Sequence, residues 1–159
     1  MLKSTPATSG LRGTATAWRP LSKTLNVIMD IARAYIRITG KKNYEIVSSE
    51  LGIKPTSYWN VGDKRRDGSE YEFSNWSYED TKFENESIEI SIANILNFIE
   101  SKELNFQSLY PEFDVTIQCV GYHEKISPGF HLSKEIIAKF ALLGVSVDFD
   151  LYCENEKYI

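Results

Sequence analysis

The chain predicts an α+β fold: a two-layer sandwich of about four mostly antiparallel strands with three helices on one face. Three observations predict it. Apolar and polar residues alternate with a period of two over 31–39 and 145–153, and isoleucines recur at helical spacing over 88–99. Each clean strand also has only one apolar face, whereas a parallel sheet covered on both sides needs nearly continuous apolar strands.

The first strand sets Arg33, Tyr35 and Arg37 against Ala32, Ala34, Ile36 and Ile38, and Gly40 ends it. Asn43 is placed to cap a short helix through Leu51 that turns Ile46, Val47 and Leu51 inward; Gly52 fits its C-terminal stop, and Pro55 prevents continuation. Residues 56–69 read as a long polar loop ending in the Asp67-Gly68 turn. Strand character resumes over 71–78 with Tyr71, Phe73, Trp76 and Tyr78.

Ile88, Ile92, Ile95 and Ile99 define the clearest helix, over 87–101. Val115, Ile117 and Cys119 mark a third strand. Leu132 and Ile137 bracket Ser133 as a hydrophobic staple, opening a helix lined by Ile136, Ile137, Phe140 and Leu143 that Gly144 closes. In the last strand Val145, Val147, Phe149, Leu151 and Cys153 face one way and Ser146, Asp148, Asp150 and Tyr152 the other.

The 159 residues suffice for one domain, expected over 30–159. Residues 1–29 hold Lys3, Arg12, Arg19 and Lys23 with no acid and no helical stripe, so a disordered basic extension is expected there. The full chain has 18 Lys and Arg; removing those four leaves 14 against 22 acids, so the body carries −8 within a net charge of −4. An acidic body repels phosphate backbones, and no nucleic-acid partner is expected. The longest apolar run, 140–145, is far below the ~18 residues of a membrane span. Two cysteines without CxxC spacing predict neither a zinc site nor a disulfide framework, and point to a reducing, cytoplasmic compartment.

No sequence motif names an activity. There is no nucleophile elbow, P-loop, dinucleotide fingerprint or HExxH pattern, so no catalytic residue, metal or cofactor is predicted. Asp148 and Asp150 point to one side, with His123, Glu124 and Glu154 as conceivable ligands, but calcium needs six or more oxygens, which no loop here supplies. His123 and His131 read as surface imidazoles on a loop, and both cysteines as core thiols.

The candidate binding residues lie on the uncovered sheet face and in the loop beside it: Arg33, Arg37, Trp59, Asp63, Arg65, Trp76, Asp148, Asp150 and Tyr152. Structurally, Arg33 and Arg37 pair with Asp148 and Asp150 across neighbouring strands. Functionally, the guanidinium groups hold a ligand carboxylate or phosphate. Lys64-Arg65-Arg66 between Trp59 and Trp76 combines charge with aromatic planes, but three charges are few and the cluster reads by default as a solvated loop.

Ala34-Tyr35-Ile36-Arg37-Ile38, Leu51-Gly52-Ile53-Lys54-Pro55-Thr56, Trp59, Gly62-Asp63, Trp76, Leu143-Gly144 and Val147-Asp148-Phe149-Asp150-Leu151-Tyr152 together resemble the bacterial domain-of-unknown-function family 4279, over about residues 33–152. The resemblance implies a small cytoplasmic bacterial α+β domain with no established activity and no catalytic residues to carry over. Two functions are therefore weighed. One is a non-enzymatic protein-binding or immunity-like module whose acidic, aromatic face suits a basic partner. The other is a small-molecule sensor or small enzyme in which Trp59, Asp63, Arg37 and Asp148 converge on one pocket.

Overall fold

Ala32, Ala34, Ile36 and Ile38 form the buried half of strand β1 (Ile31–Gly40), and Arg33, Tyr35 and Arg37 between them are half-buried on its other face. The alternation in the sequence is thus the alternation of the pleat. In this computed structural model, which describes residues 30–85, 87–123 and 129–153, the chain continues through α1 (Tyr44–Leu51), β2 (Ser57–Trp59), β3 (Ser74–Tyr78), α2 (Ile88–Ser101), β4 (Phe113–His123), α3 (Lys134–Leu143) and β5 (Ser146–Cys153). The extension expected over 1–29, and Glu124 and Glu154, lie outside the described residues.

The fold class is the α+β sandwich read from the sequence, with five strands instead of four. The additional strand is β2, which lies within the stretch 56–69 that the sequence pattern reads as a loop. Its three residues, Ser57, Tyr58 and Trp59, are too few to display a period, and only pairing with Ser77, Trp76 and Asn75 of β3 reveals it.

The sheet order is β2-β3-β1-β4-β5. All neighbours are antiparallel except β4 and β5, which run parallel because α3 carries the chain back across the sheet between them. Residues from all three helices enter one core. Val47 and Leu51 come from α1, Ile92, Ile95, Leu96 and Ile99 from α2, and Phe140 from α3. They meet Ile36 and Ile38 of β1, Trp76 of β3 and Val115, Ile117 and Cys119 of β4.

Helix ends follow the sequence signals at the start of α3 and at both glycine stops, whereas Asn43 precedes α1 without a side-chain cap bond, and Ile46 and Ile137, expected on the apolar faces of α1 and α3, are exposed. Ser133 Oγ accepts from the Ile136 amide at 3.3 Å, satisfying one of the amides left over at the start of α3. Gly52 and Gly144 stop α1 and α3 at φ of 68° and 70°, the left-handed conformation that favours glycine.

Candidate functional site

The face of the sheet turned from the helices carries most of the expected binding residues, because residues of equal parity on paired strands share a side. From β1 it receives Arg33, Tyr35 and Arg37, from β3 Asn75 and Ser77, from β4 Thr116, Gln118 and Val120, and from β5 Asp148, Asp150 and Tyr152. Among the described residues no helix lies on this side, yet Gln118 is 1 % exposed and Asn75 2 %, so the face is a sheltered polar layer with exposed acids at its rim.

Strand order corrects the expected charge pairing. β4 separates β1 from β5, so Arg33 and Arg37 do not stand beside Asp148 and Asp150. Arg33 instead pairs with Glu79, just beyond β3. Arg37 Nε reaches Asn75 Oδ1 at 3.4 Å. Asp148 and Asp150 are held from β4, where Gln118 Nε2 donates to Asp148 Oδ2 at 3.1 Å and to Asp150 Oδ2 at 3.0 Å. One amide thereby fixes two exposed carboxylates.

Tyr35 lies amid these charges. Burial, foremost, pushes its hydroxyl above the ordinary phenol range; Arg33 and Arg37 pull it down, and Glu79 and Asp150 add to the rise. It is a protonated donor at neutral pH. Two strands further toward the edge, Tyr152 stacks on Tyr122 with ring centroids 5.2 Å apart and 18° between planes, and both rings are exposed.

The loop residues divide. Trp59 donates its Nε1–H to the Phe73 carbonyl at 3.0 Å and stacks on Tyr71 at 4.5 Å, and the Arg65 guanidinium lies 4.7 Å from the centre of the Tyr71 ring. Arg65, Tyr71 and Trp59 therefore make one stack that stiffens the arm between β2 and β3. Asp63 is used within that arm, its Oδ2 accepting from the Asn60 amide at 2.9 Å. Trp76 is a core residue with no exposed surface; its Nε1–H is donated to Ser48 Oγ at 3.0 Å, which leaves no plane for a ligand.

The expected convergence of Trp59, Asp63, Arg37 and Asp148 on one pocket is not found. Trp59 is on β2 and Asp148 on β5, the two edges of a five-stranded sheet, roughly 19 Å apart at ~4.8 Å per strand. His123 also departs from its surface reading. It ends β4 on the core side at 5 % exposure, with Nδ1 3.8 Å from Asp30 Oδ2. Alternation in the sequence ends this strand at 120, whereas β4 continues three residues further to His123. Cys119 fits its reading as a core thiol. Desolvation, with a smaller contribution from Asp148, pushes it up to about 12, so it is protonated at neutral pH.

Sequence reasoning missed Gln118, Asn75 and Ser77. Gln118 was legible only as the polar member of an alternation, and its partners are fixed by the parallel register of β4 and β5. Among the described residues no group of three or more His, Cys, Asp or Glu is placed to hold a metal ion, and no helix is long and apolar enough to cross a membrane.

Compared with known families, residues 30–154 match the profile described as Domain of unknown function (DUF4279). Neither a curated protein nor a solved structure matches the chain.

Proposed function

The chain belongs to the DUF4279 family, and from that premise we propose that it is a non-enzymatic protein-binding module that takes an extended basic segment of its partner along the outer edge of β5. The observation that carries this reading is the pair Asp148 and Asp150. Both are exposed, both are oriented by Gln118, and neither forms an ion pair among the described residues. Carboxylates held in place without a cation are pre-organised for one.

Three further features support it. β5 ends the sheet and pairs with β4 alone, which leaves its outer edge without a strand partner among the described residues, the geometry an added strand uses. Asp148, Asp150 and Tyr152 succeed one another on one face at about 6.8 Å, the spacing of alternate residues in an added strand. The Tyr122–Tyr152 stack offers an exposed aromatic plane at the end of that line, which suits a Lys or Arg side chain. The acidic charge of the chain favours approach of a basic partner. The scarcity of cysteine, with Cys119 a buried thiol, supports a cytoplasmic setting.

The test is an amide chemical-shift titration of the full chain with a short peptide alternating Lys and Val, and in parallel with one alternating Glu and Val. Saturable shifts along Ser146–Cys153 with the Lys peptide alone are expected. Shifts confined to other strands, no saturation, or equal binding of the Glu peptide would overturn the assignment.

A further inference from the structure

We propose that the same face holds a second site, separate from the β5 edge, in which Arg37 and the hydroxyl groups flanking it bind a small oxyanion, a carboxylate or a phosphate. Strand register places Ser57, Ser77, Arg37, Thr116 and Ser146 in one row across all five strands. One guanidinium therefore stands between hydroxyl side chains on its two neighbouring strands, each about 5 Å away at Cβ.

The electrostatics single out Arg37. It is half-buried, yet it forms no ion pair among the described residues, whereas Arg33 on the same strand has Glu79. Its one hydrogen bond, Nε to Asn75 Oδ1 at 3.4 Å, is at the long limit for such a contact, and the remaining N–H groups of the guanidinium have no partner among the described residues. Two acids lie one row away in register, Asp114 opposite Thr39 on one flank and Glu79 continuing the register opposite Tyr35 on the other; Glu79 is engaged by Arg33, and neither forms an ion pair with Arg37 among the described residues. Partial removal of an uncompensated cation from water is unfavourable, and an oxyanion in the guanidinium plane offsets that cost with two parallel bonds.

The surroundings are built to receive an acceptor. Asn75 and Ser77 are buried beside Arg37 and hydrogen-bonded to each other, with Asn75 Nδ2 donating to Ser77 Oγ at 3.0 Å, so they are already oriented. Thr116 on the other flank is half-buried and its hydroxyl has no partner among the described residues. Half-burial lowers the local dielectric, which strengthens a charge-assisted bond relative to one at the open surface. A planar fork flanked by neutral hydroxyls fits carboxylate and phosphate oxygens alike, and the experiment separates the two sources.

The experiment follows the arginine Nε–Hε resonances and backbone amides of the full chain during titration with inorganic phosphate and, separately, with succinate. Saturable shifts at Arg37 Nε–Hε and at the Ser77 and Thr116 amides are expected. Phosphate alone, succinate alone or both acting there each supports the site and identifies its ligand. Arg37→Gln should weaken binding roughly 10- to 100-fold, the equivalent of one or two lost charge-assisted bonds, and Arg37→Lys by less. If Arg37→Gln does not fold, Arg37→Lys and the residue-resolved wild-type titration still decide. No saturable shift at Arg37 with either anion, or undiminished affinity in a folded Arg37→Gln, would overturn the proposal.

Discussion

Gln118 holds Asp148 through a 3.1 Å bond from its amide nitrogen, and the same nitrogen reaches Asp150 at 3.0 Å. A buried neutral side chain on a central strand thus sets the geometry of the acidic edge. Replacing it by leucine of similar size leaves the carboxylates free to hydrate, so Gln118→Leu should change folding stability by about 1 kcal/mol or less. Affinity for the Lys–Val peptide should fall roughly 3- to 10-fold as orientation is lost. Urea unfolding and the peptide titration check the two halves, and a large stability loss with unchanged affinity would contradict this role for Gln118.

The helical layer is tested on α2, where the sequence stripe assigned Ile92 to the core and the structure buries it completely, while Ile90 is 48 % exposed. Ile92→Ala should cost about 2–5 kcal/mol, and Ile90→Ala about 0.5 kcal/mol or less. Comparable losses in urea unfolding would show that the helix is rotated from the orientation described.

Close approach of the backbone is tested at Gly40. A Cβ there would lie 2.5 Å from the Glu112 carbonyl oxygen and 2.6 Å from a ring carbon of Phe113, so one strand end must shift. Gly40→Ala should lose about 1–3 kcal/mol and lower Tm by roughly 3–10 °C. A Tm equal to wild type would contradict the packing between the end of β1 and the start of β4.

The buried thiol carries a pH dependence. Cys119 is pushed up to about 12 in the folded chain, above the ordinary thiol value of about 8.5 in the unfolded one. Its contribution to stability is therefore complete below about pH 8.5 and declines as pH rises toward 12, since only the unfolded state readily loses the proton. Cys119→Ala should flatten the alkaline part of the stability profile, and Cys119 should resist alkylation at pH 8 until the chain unfolds. Rapid native alkylation at Cys119, or an unchanged alkaline slope in Cys119→Ala, would contradict its burial.

What the sequence revealed was periodicity, and therefore which face each residue occupies. β1 and β5 display their pleat directly, and the Ile88 to Ile99 stripe displays the buried side of α2. Strand order is a long-range property that local alternation does not encode. Alternation therefore matches Arg33 and Arg37 with Asp148 and Asp150, whereas β4 stands between the two pairs and the partner of Arg33 is Glu79. Trp76 illustrates a different ambiguity: an aromatic on a strand suits a ligand platform and a core equally, and only its position opposite Ile38 decides. Asp63 shows the same for a carboxylate, which a turn consumed by accepting the Asn60 amide.

The central claim, that Asp148 and Asp150 make β5 an edge for basic strands, is tested most directly by exchanging charge on both sides of the contact. The double variant Asp148→Lys, Asp150→Lys alters two exposed positions and should keep its Tm within a few degrees of wild type. It should also reverse peptide preference, losing the Lys–Val peptide and gaining the Glu–Val peptide at Ser146–Cys153. A folded double variant that still prefers the Lys peptide would contradict the claim.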